Sequence, residues 1–288
     1  MENIMKIKKH TIFLLISLAA LVLLIVWIAW GNSALQLNSY TITSDRLPKA
    51  FDGFRIAQVS DLHNAEMGQE NEKLISMLAD AEPDMIVITG DLIDLQKTDI
   101  DTALAFAKKA VQIAPCYFVT GNHEAALSEY NTLKEGLIAL GVTVLEDDKT
   151  IIELSGERIT LIGVADPSFQ TDNHITVMNG KLEELISEED GYSILLSHRP
   201  ELFETYVTHN IDLVFSGHAH GGQFRLPFIG GLVAPGQGLF PEYDAGIYTD
   251  GNTNMVVSKG IGNSIIPFRV NNRPEVILIE LATPNCPR

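Results

Sequence analysis

Apolar and polar residues alternate with two different periods along most of this chain. The run Met85-Ile-Val-Ile-Thr89 has no charged break, so it predicts a strand that is buried on both faces of a sheet. Residues 71–81 and 100–113 instead repeat apolar side chains at helical spacing and predict amphipathic helices. Strands that alternate with helices of this length are typical of a largely parallel sheet with right-handed crossovers. The pattern therefore predicts an α/β fold.

The same periodicities predict the remaining elements. Further strands are predicted at residues 54–60, 116–120, 142–145, 192–196, 211–215, 255–258 and 276–281, further helices at 128–140, 182–186 and 201–208, and a hairpin from 150–154 and 158–164. Residues 35–43 predict a half-exposed strand, and residues 226–251 predict Gly- and Pro-rich loops. Because no linker follows Gly53, we predict one globular domain with two packed sheets over residues 54–288, after a linker and first strand at 31–53.

The amino terminus carries a long apolar segment. Residues 11–30 contain no charge and follow three lysines, Lys6, Lys8 and Lys9. At about 1.5 Å per residue, this segment is long enough to cross a hydrocarbon core of about 30 Å. We therefore predict a cytoplasmic basic segment at 1–10, a transmembrane anchor at 11–30 and an extracytoplasmic remainder. A cleaved signal peptide, which would release a secreted protein, is the alternative.

Charge and cysteine content narrow the classes of function. The chain has 20 Lys and Arg against 37 Asp and Glu, a formal net charge of −17. Such a chain repels nucleic-acid backbones, so we do not expect general nucleic-acid binding, and an anionic substrate would need bound cations. Two cysteines are too few for a disulfide framework, and Cys116 begins an apolar run that predicts a core position.

Short polar clusters directly follow five of the predicted strands. In chain order the clusters are Ser60-Asp61-Leu62-His63, Gly90-Asp91-Leu-Ile-Asp94, Gly121-Asn122-His123-Glu124, Ser197-His198-Arg199 and Gly217-His218-Ala219-His220. Because ligands in open α/β sheets bind beyond the carboxyl ends of the strands, we expect these clusters to converge. Asp-x-His and His-x-His also place two ligands on one side of an extended segment, which is a common way to chelate a metal.

The chemistry of the clustered side chains predicts a dinuclear metal site. Imidazoles, carboxylates and an amide, without thiolates, suit Mn²⁺, Fe or Zn²⁺. The plausible ligands number seven, too many for one metal and suitable for two that share a carboxylate: Asp61, His63, Asp91, Asn122, His198, His218 and His220. Two such metals form a clamp for in-line displacement at phosphorus, and the water between them becomes hydroxide near neutral pH.

The order of these five motifs resembles the calcineurin-like metallophosphoesterase family, and its bacterial membrane-associated branch in particular. The resemblance runs from about residue 54 to the carboxyl terminus. It implies a four-layer α/β/β/α sandwich of the metallo-dependent phosphatase type, which hydrolyses anionic phosphoesters. Carried over by motif, it places one metal on Asp61, His63 and His220, the other on Asn122, His198 and His218, and Asp91 between the two.

The resemblance also assigns catalytic roles. His123 is expected beside the leaving-group oxygen as a general acid, and Asp94 is expected to hydrogen-bond this imidazole and keep it protonated. Glu124 is expected to support its loop, while His174 and His209 lie outside the motifs and are expected at the surface.

Several functions remain open from the sequence. Asp94 is followed by Leu95-Gln96, whereas family protein phosphatases have Arg-Gly there, and this difference argues against a protein phosphatase. The expected activity is that of a phosphodiesterase or phosphomonoesterase. One alternative is hydrolysis of a lipid-linked pyrophosphate, similar to the reaction of UDP-diacylglucosamine pyrophosphatases. Asn64 and Arg199 either contact the phosphate or are ordinary polar residues of exposed loops. An alternative from another class is a catalytically silent metal-binding module of the cell envelope.

Overall fold

A computed structural model describes residues 2–187, 191–263 and 266–284 of the chain. Its first half comprises α1 (Glu2–Ser33), β1 (Gln36–Thr43), β2 (Arg55–Val59), α2 (Glu72–Asp80), β3 (Met85–Thr89), α3 (Ile100–Ala110), β4 (Cys116–Val119), α4 (Asn122–Ala126), α5 (Tyr130–Ala139) and β5 (Thr143–Val144). The second half comprises β6 (Asp148–Leu154), β7 (Glu157–Gly163), α6 (His174–Leu185), β8 (Ser193–Leu196), α7 (Phe203–Thr208), β9 (Leu213–Ser216), β10 (Arg225–Leu226), β11 (Gly230–Gly231), β12 (Val233–Ala234), β13 (Gly238–Leu239), β14 (Gly246–Asp250), β15 (Thr253–Val257) and β16 (Glu275–Ala282).

The larger strands form two mixed sheets of six strands each. The first sheet has the order β1-β16-β2-β3-β4-β5, and the second has the order β14-β15-β9-β8-β7-β6. Neighbours are parallel from β2 through β5 and from β7 through β9 to β15, whereas β16 runs antiparallel to β2. The parallel strands of each sheet therefore end at one common edge, as the alternation of helices and strands predicts.

Alternating side chains in the strands build a four-layer packing. In β3, Met85 and Val87 face the core between the sheets, while Ile86 and Ile88 face a second core under α2, α3 and α5. In β8, Ile194 and Leu196 face the core between the sheets, and a third core lies under α6 and α7. Since successive side chains of a strand point to opposite faces, each central strand needs apolar residues at every position. This arrangement confirms the predicted α/β/β/α sandwich.

The boundaries and a few elements differ from the prediction. The helix expected near 182–186 begins already at His174, because the side chain of Asn173 accepts hydrogen bonds from the amides of Ile175 and Thr176. The helix α4 was not predicted, and β14 lies within residues 226–251, which were predicted as loops. The side chain of Cys116 is buried in the core of the first sheet, as predicted.

The amino-terminal helix α1 does not pack into the cores. Its segment His10–Ser33 contains an 18-residue window with a mean hydropathy of 3.1 and is long enough to cross a bilayer at about 1.5 Å per residue. A signal sequence near the amino terminus has the same length and composition. The helix is therefore a signal or an anchor.

Candidate metal centre

The structure brings every predicted ligand to the edge that the two sheets share. Asp61 and His63 follow β2, Asp91 follows β3, and Asn122 starts α4 directly after β4. The second sheet adds His198 beyond β8 and two histidines beyond β9. Two buried groups result, Asp61 with His63, Asp91 and His220, and Asp91 with His198 and His218, and the ligand atoms of each group lie within 4.8 Å of one another.

Asp91 is common to both groups, and its two oxygens have different surroundings. Oδ1 accepts a hydrogen bond from the backbone amide of His123 at 2.8 Å. Oδ2 lies 3.2 Å from Nε2 of His198 and 3.6 Å from Nε2 of His63. Burial raises the pKa of Asp91, but these imidazoles outweigh burial and hold the pKa well below its usual range. One carboxylate oxygen is thus fixed by the backbone, and the other faces both groups.

The backbone of the ligand loops is strained. Five predicted ligands have φ between 46° and 64°, a region that favours glycine: Asp61, His63, Asp91, His218 and His220. Such conformations cost about 1–3 kcal/mol each and persist only where surrounding structure enforces them. Here the amides of Asp61 and His63 donate to the carbonyls of Gly90 and Asp91, both at 3.0 Å. A side chain at Gly90 would collide with the ring of His198, so the loops need glycine there to approach each other.

Glu124 holds the backbone around Asp91. Its buried carboxylate accepts from the amides of Gly121 at 2.7 Å and of Asp91 and Leu92 at 2.8 Å, with a longer bond from Ile93 at 3.3 Å. Burial and the charge of Asp91 raise the pKa of Glu124 to about 7. The contacts agree with the expected role of Glu124 as a support of its loop.

Four imidazoles direct ring nitrogens toward one another or toward the carboxylates of the site. Nε2 of His63 and Nε2 of His220 face each other at 3.2 Å. Burial lowers the pKa of His63 to about 4 and lowers the pKa of His218 and His220 well below the usual range. For His198 burial also lowers the pKa, but the carboxylate of Asp91 outweighs it and raises the pKa to about 10. Three neutral rings and one cationic ring thus surround two carboxylates.

Unpartnered polar atoms test whether these residues fit metal ions. Among the described residues, Oδ1 of Asn122 is buried without a hydrogen-bond partner, and Nε2 of His198 makes no well-aligned hydrogen bond although Oδ2 of Asp91 lies 3.2 Å away. Buried polar atoms are nearly always satisfied, and a bound cation would satisfy both. Nδ1 of His198 is fixed by the carbonyl of Thr89 at 2.7 Å, as is usual for a metal-binding imidazole. The buried His and Asp groups are therefore consistent with a dinuclear metal site.

In the described part of the chain, the expected hydrogen bond between Asp94 and His123 is not formed, although their nearest ligand atoms lie within 4.8 Å of each other. Among the described residues, Oδ1 of Asp94 accepts from the amides of Gln96 and Lys97, each at 2.9 Å, which ties the carboxylate to its own turn. Oδ2 instead lies 3.7 Å from Nδ1 of His63. Nδ1 of His123 accepts from the amide of Leu95 at 2.9 Å. The turn that follows β3 thus contacts His123 through its backbone and not through a carboxylate.

An ion pair beside the second group was not predicted. Arg199 is buried and forms a two-pronged pair with Asp166, at 2.6 and 2.9 Å, so it is not an exposed loop residue. Nη1 of Arg199 lies 2.9 Å from Nε2 of His218. Asp166 follows the buried strand β7, which is the same signal that marked Asp91. Asn64 accepts from the amide of Asp94 and so supports that turn.

The histidines outside the motifs lie away from these groups. His174 begins α6 and is partly exposed. Nε2 of His209 lies 3.1 Å from Oδ1 of Asn179. Neither residue belongs to the groups of possible ligands that the described residues form.

The fold and the buried His and Asp groups define a metallophosphoesterase, which is a hydrolase. The family model of calcineurin-like phosphoesterases matches residues 54–222, so the chain belongs to that family. Metallophosphoesterase YkuE of Bacillus subtilis is 29% identical over 256 residues, with 87% of each chain covered. Phosphodiesterase YaeI of Escherichia coli is 29% identical over 245 residues, which cover 79% of this chain and 82% of YaeI. The crystal structure of TT1561 of Thermus thermophilus has the same fold, with a TM-score of 0.51, 17% identity and coverage of 72% of this chain and 90% of that chain.

Proposed function

We propose that this metallophosphoesterase is a membrane-anchored phosphodiesterase with two metal ions that share Asp91. The observation that carries the proposal is the position of Oδ2 of Asp91, within 3.6 Å of an imidazole from each buried group. Asp61, His63 and His220 would hold one ion, and Asn122, His198 and His218 the other. When bound, Mn²⁺, Fe or Zn²⁺ ions would polarise the phosphoryl oxygens and lower the pKa of water between them.

His123 is positioned to deliver a proton to the leaving group. Because its Nδ1 accepts from the amide of Leu95, the ring proton of the neutral form is on Nε2. Nε2 lies 3.9 Å from Oδ2 of Asp91, and the ring is partly exposed. Nε2 is therefore the ring atom that carries a proton into the site, and we assign His123 the role of general acid. Asp94 acts indirectly, through the turn that carries Leu95.

The charges near the site favour a diester over a monoester. A diester carries one negative charge at the phosphate, and a monoester dianion needs more cationic donors. The guanidinium of Arg199 is engaged by Asp166, and Leu95-Gln96 occupies the place where family protein phosphatases have Arg-Gly. The relative YaeI is a phosphodiesterase. A lipid-linked pyrophosphate stays as the second substrate class because of the apolar helix α1.

Hydrolysis by the full-length protein tests the proposal. Protein purified with EDTA should cleave bis-p-nitrophenyl phosphate only after Mn²⁺, Fe or Zn²⁺ is added, and p-nitrophenyl phosphate more slowly. A lipid-linked pyrophosphate should be assayed in parallel. Loss of a residue that only supports a metal ligand lowers activity by up to roughly 100-fold. Asp91→Asn should lower kcat by more than that.

The matched control is Asp101→Asn, which changes an exposed carboxylate at the start of α3 and should leave kcat unchanged. Near-normal turnover by Asp91→Asn, or turnover of the EDTA-treated protein, would contradict the proposed centre. Faster cleavage of the monoester would overturn the diester preference alone.

The anchor is supported by contacts at the end of α1. The side chain of Asn32 donates to the carbonyl of Arg269 at 2.9 Å and accepts from its amide at 2.7 Å. The helix thus continues into the catalytic domain, and its basic amino-terminal flank favours a cytoplasmic start. We expect a reporter fused after Arg288 to be active outside the cytoplasm. Activity of that reporter only in the cytoplasm would reverse the orientation.

A further inference from the structure

A cationic cavity lies where α1 meets the catalytic domain. Its volume is about 210 Å³, and it is too small for a whole lipid but suited to a polar group. Four cationic residues and both tryptophans of the chain line it: Arg225, Lys259, Arg269, Arg273, Trp27 and Trp30. The described residues of its lining include no Asp or Glu. This gathering of positive charge is unexpected in a chain with a formal net charge of −17.

Two of the four cations have no carboxylate partner among the residues that the structure describes. Lys259 pairs with Glu275 at 2.9 Å, and Arg225 pairs with Asp244 at 3.0 Å. Among the described residues, no carboxylate lies within 4 Å of the guanidinium of Arg269 or of Arg273.

Arg269 is the stronger case because its side chain is almost fully buried, with 1% exposed. Among the described residues its guanidinium contacts neutral groups only: it donates to the carbonyls of Lys259 and Gly262 and to the side-chain oxygen of Asn263, and Nη2 lies 3.5 Å from Nδ1 of His220. Buried charges are normally paired, because desolvation of an unpaired ion costs several kcal/mol. The cavity therefore has an excess of positive charge that an anion would neutralise.

The position of the cavity indicates the source of that anion. Trp27 and Trp30 lie in the last two turns of α1, and the guanidinium of Arg273 lies 5.0 Å from the ring centroid of Trp30. Tryptophans at the end of an apolar helix mark the interface between a membrane and water. The hairpin of β10 and β11 starts at Arg225 and exposes Phe228 completely at its tip. Cations flanked by exposed apolar side chains are typical of surfaces that contact lipid headgroups.

We propose that this cavity binds the phosphate group of an anionic phospholipid headgroup. The proposal rests on the anchored arrangement of α1 in the proposed function. The cavity also borders the metal centre, since Asn272, which lines it, donates to the carbonyl of His220 at 2.7 Å. A bound headgroup would fix the orientation of the catalytic edge relative to the membrane surface.

Tryptophan fluorescence gives a direct test, because both tryptophans of the chain line the cavity. The full-length protein in uncharged detergent is titrated with dihexanoyl-phosphatidylglycerol. EDTA is present throughout, so that no catalytic metal can bind the phosphate. We expect a saturable change in emission. Dihexanoylglycerol, which lacks the phosphate, should give no saturable change, and an equal response to it would overturn the proposal. Inorganic phosphate that binds as tightly as the lipid would show that the site is for free phosphate.

Variants assign the response to the cavity. Arg225→Gln should weaken lipid binding about tenfold, Arg225→Lys should restore most of it, and Arg225→Gln with Arg273→Gln should abolish it. The control Arg158→Gln removes an exposed arginine of β7 and should bind normally. Unchanged binding by the double variant, with a normal thermal unfolding curve, would overturn the proposal. Hydrolysis of bis-p-nitrophenyl phosphate by the same proteins separates this outcome from failure of the proposed function.

Discussion

The two sheets contribute different chemistry to their shared edge. The first sheet supplies both carboxylates, Asp61 and Asp91, from loops whose backbone is strained. The second sheet supplies imidazoles only, from the loops beyond β8 and β9. The amide of His218 donates to Asp61 at 3.1 Å and so joins the two loops directly. Neither edge alone provides all of the proposed ligands, so the proposed centre forms only when the two sheets pack together.

The residues that hold the proposed ligands in place also differ between the two edges. On the first sheet, Glu124 accepts backbone amides and thereby fixes the course of the chain around Asp91. On the second sheet, the pair of Asp166 and Arg199 contacts the side chain of His218. The first support acts on a residue that both ligand groups share, and the second acts on a residue of one group. This difference leads to three predictions.

The largest expected effect is on the proton donor of the first edge. His123→Asn should lower kcat for a diester about 10²- to 10⁴-fold, because the leaving oxygen loses its general acid. Bound metal, measured by plasma emission spectrometry, should stay unchanged, since His123 is outside the proposed ligand sets. His174→Asn removes a partly exposed histidine and serves as the control. Equal loss of metal and of activity would instead make His123 a ligand.

A smaller effect is expected from the two supports. Glu124→Gln should weaken metal binding about 10- to 100-fold, because one of the two carboxylate oxygens becomes an NH2 group that cannot accept the backbone amides bound there. Both metals should be affected, since Asp91 is shared. Asp166→Asn should weaken one metal only.

Calorimetric titration with Mn²⁺ resolves the two metals by stoichiometry and affinity. Glu135→Gln, a change on the outer side of α5, is the matched control for Glu124→Gln. Thermal unfolding of each variant shows that the fold persists. If Asp166→Asn weakens both metals as much as Glu124→Gln does, the two edges are not supported independently.

Sequence alone predicted the parts of this centre that local pattern encodes. Each proposed ligand lies within a few residues of a buried strand, so periodicity places it at a sheet edge, and the order of the motifs identifies the family. The pair of Asp166 and Arg199 was missed because its members lie 33 residues apart and meet only through packing of the second sheet. The contact that His123 makes through Nδ1 was not predicted, for a related reason. The motif supplies Asp94, but the course of the backbone turn decides that the amide of Leu95 reaches the ring.

The smallest expected effect concerns protons, because the two ligand groups differ before any metal binds. Burial lowers the pKa of His63 to about 4, so this ring is neutral at about pH 7.5. The carboxylate of Asp91 overcomes burial and raises the pKa of His198 to about 10. The protonated form of His198 therefore stabilises the metal-free fold fully below its ordinary value of 6.5, and this contribution is lost as the pH rises through about 10. Near neutral pH, only the group that contains His198 must release a proton to bind a cation.

Metal binding should therefore release about one proton, and the affinity of one metal should rise about tenfold per pH unit between about pH 7 and pH 9. Calorimetry in buffers with different ionisation enthalpies measures the release directly. His198→Gln should abolish this proton release, since an amide side chain does not titrate. His63→Gln should leave the proton release intact, although it weakens metal binding. Equal proton release by these two variants would show that the ligand groups do not differ in charge. The carboxylates of the first sheet and the imidazoles of the second sheet would then differ in composition alone, and this difference would not affect the order in which the metals bind.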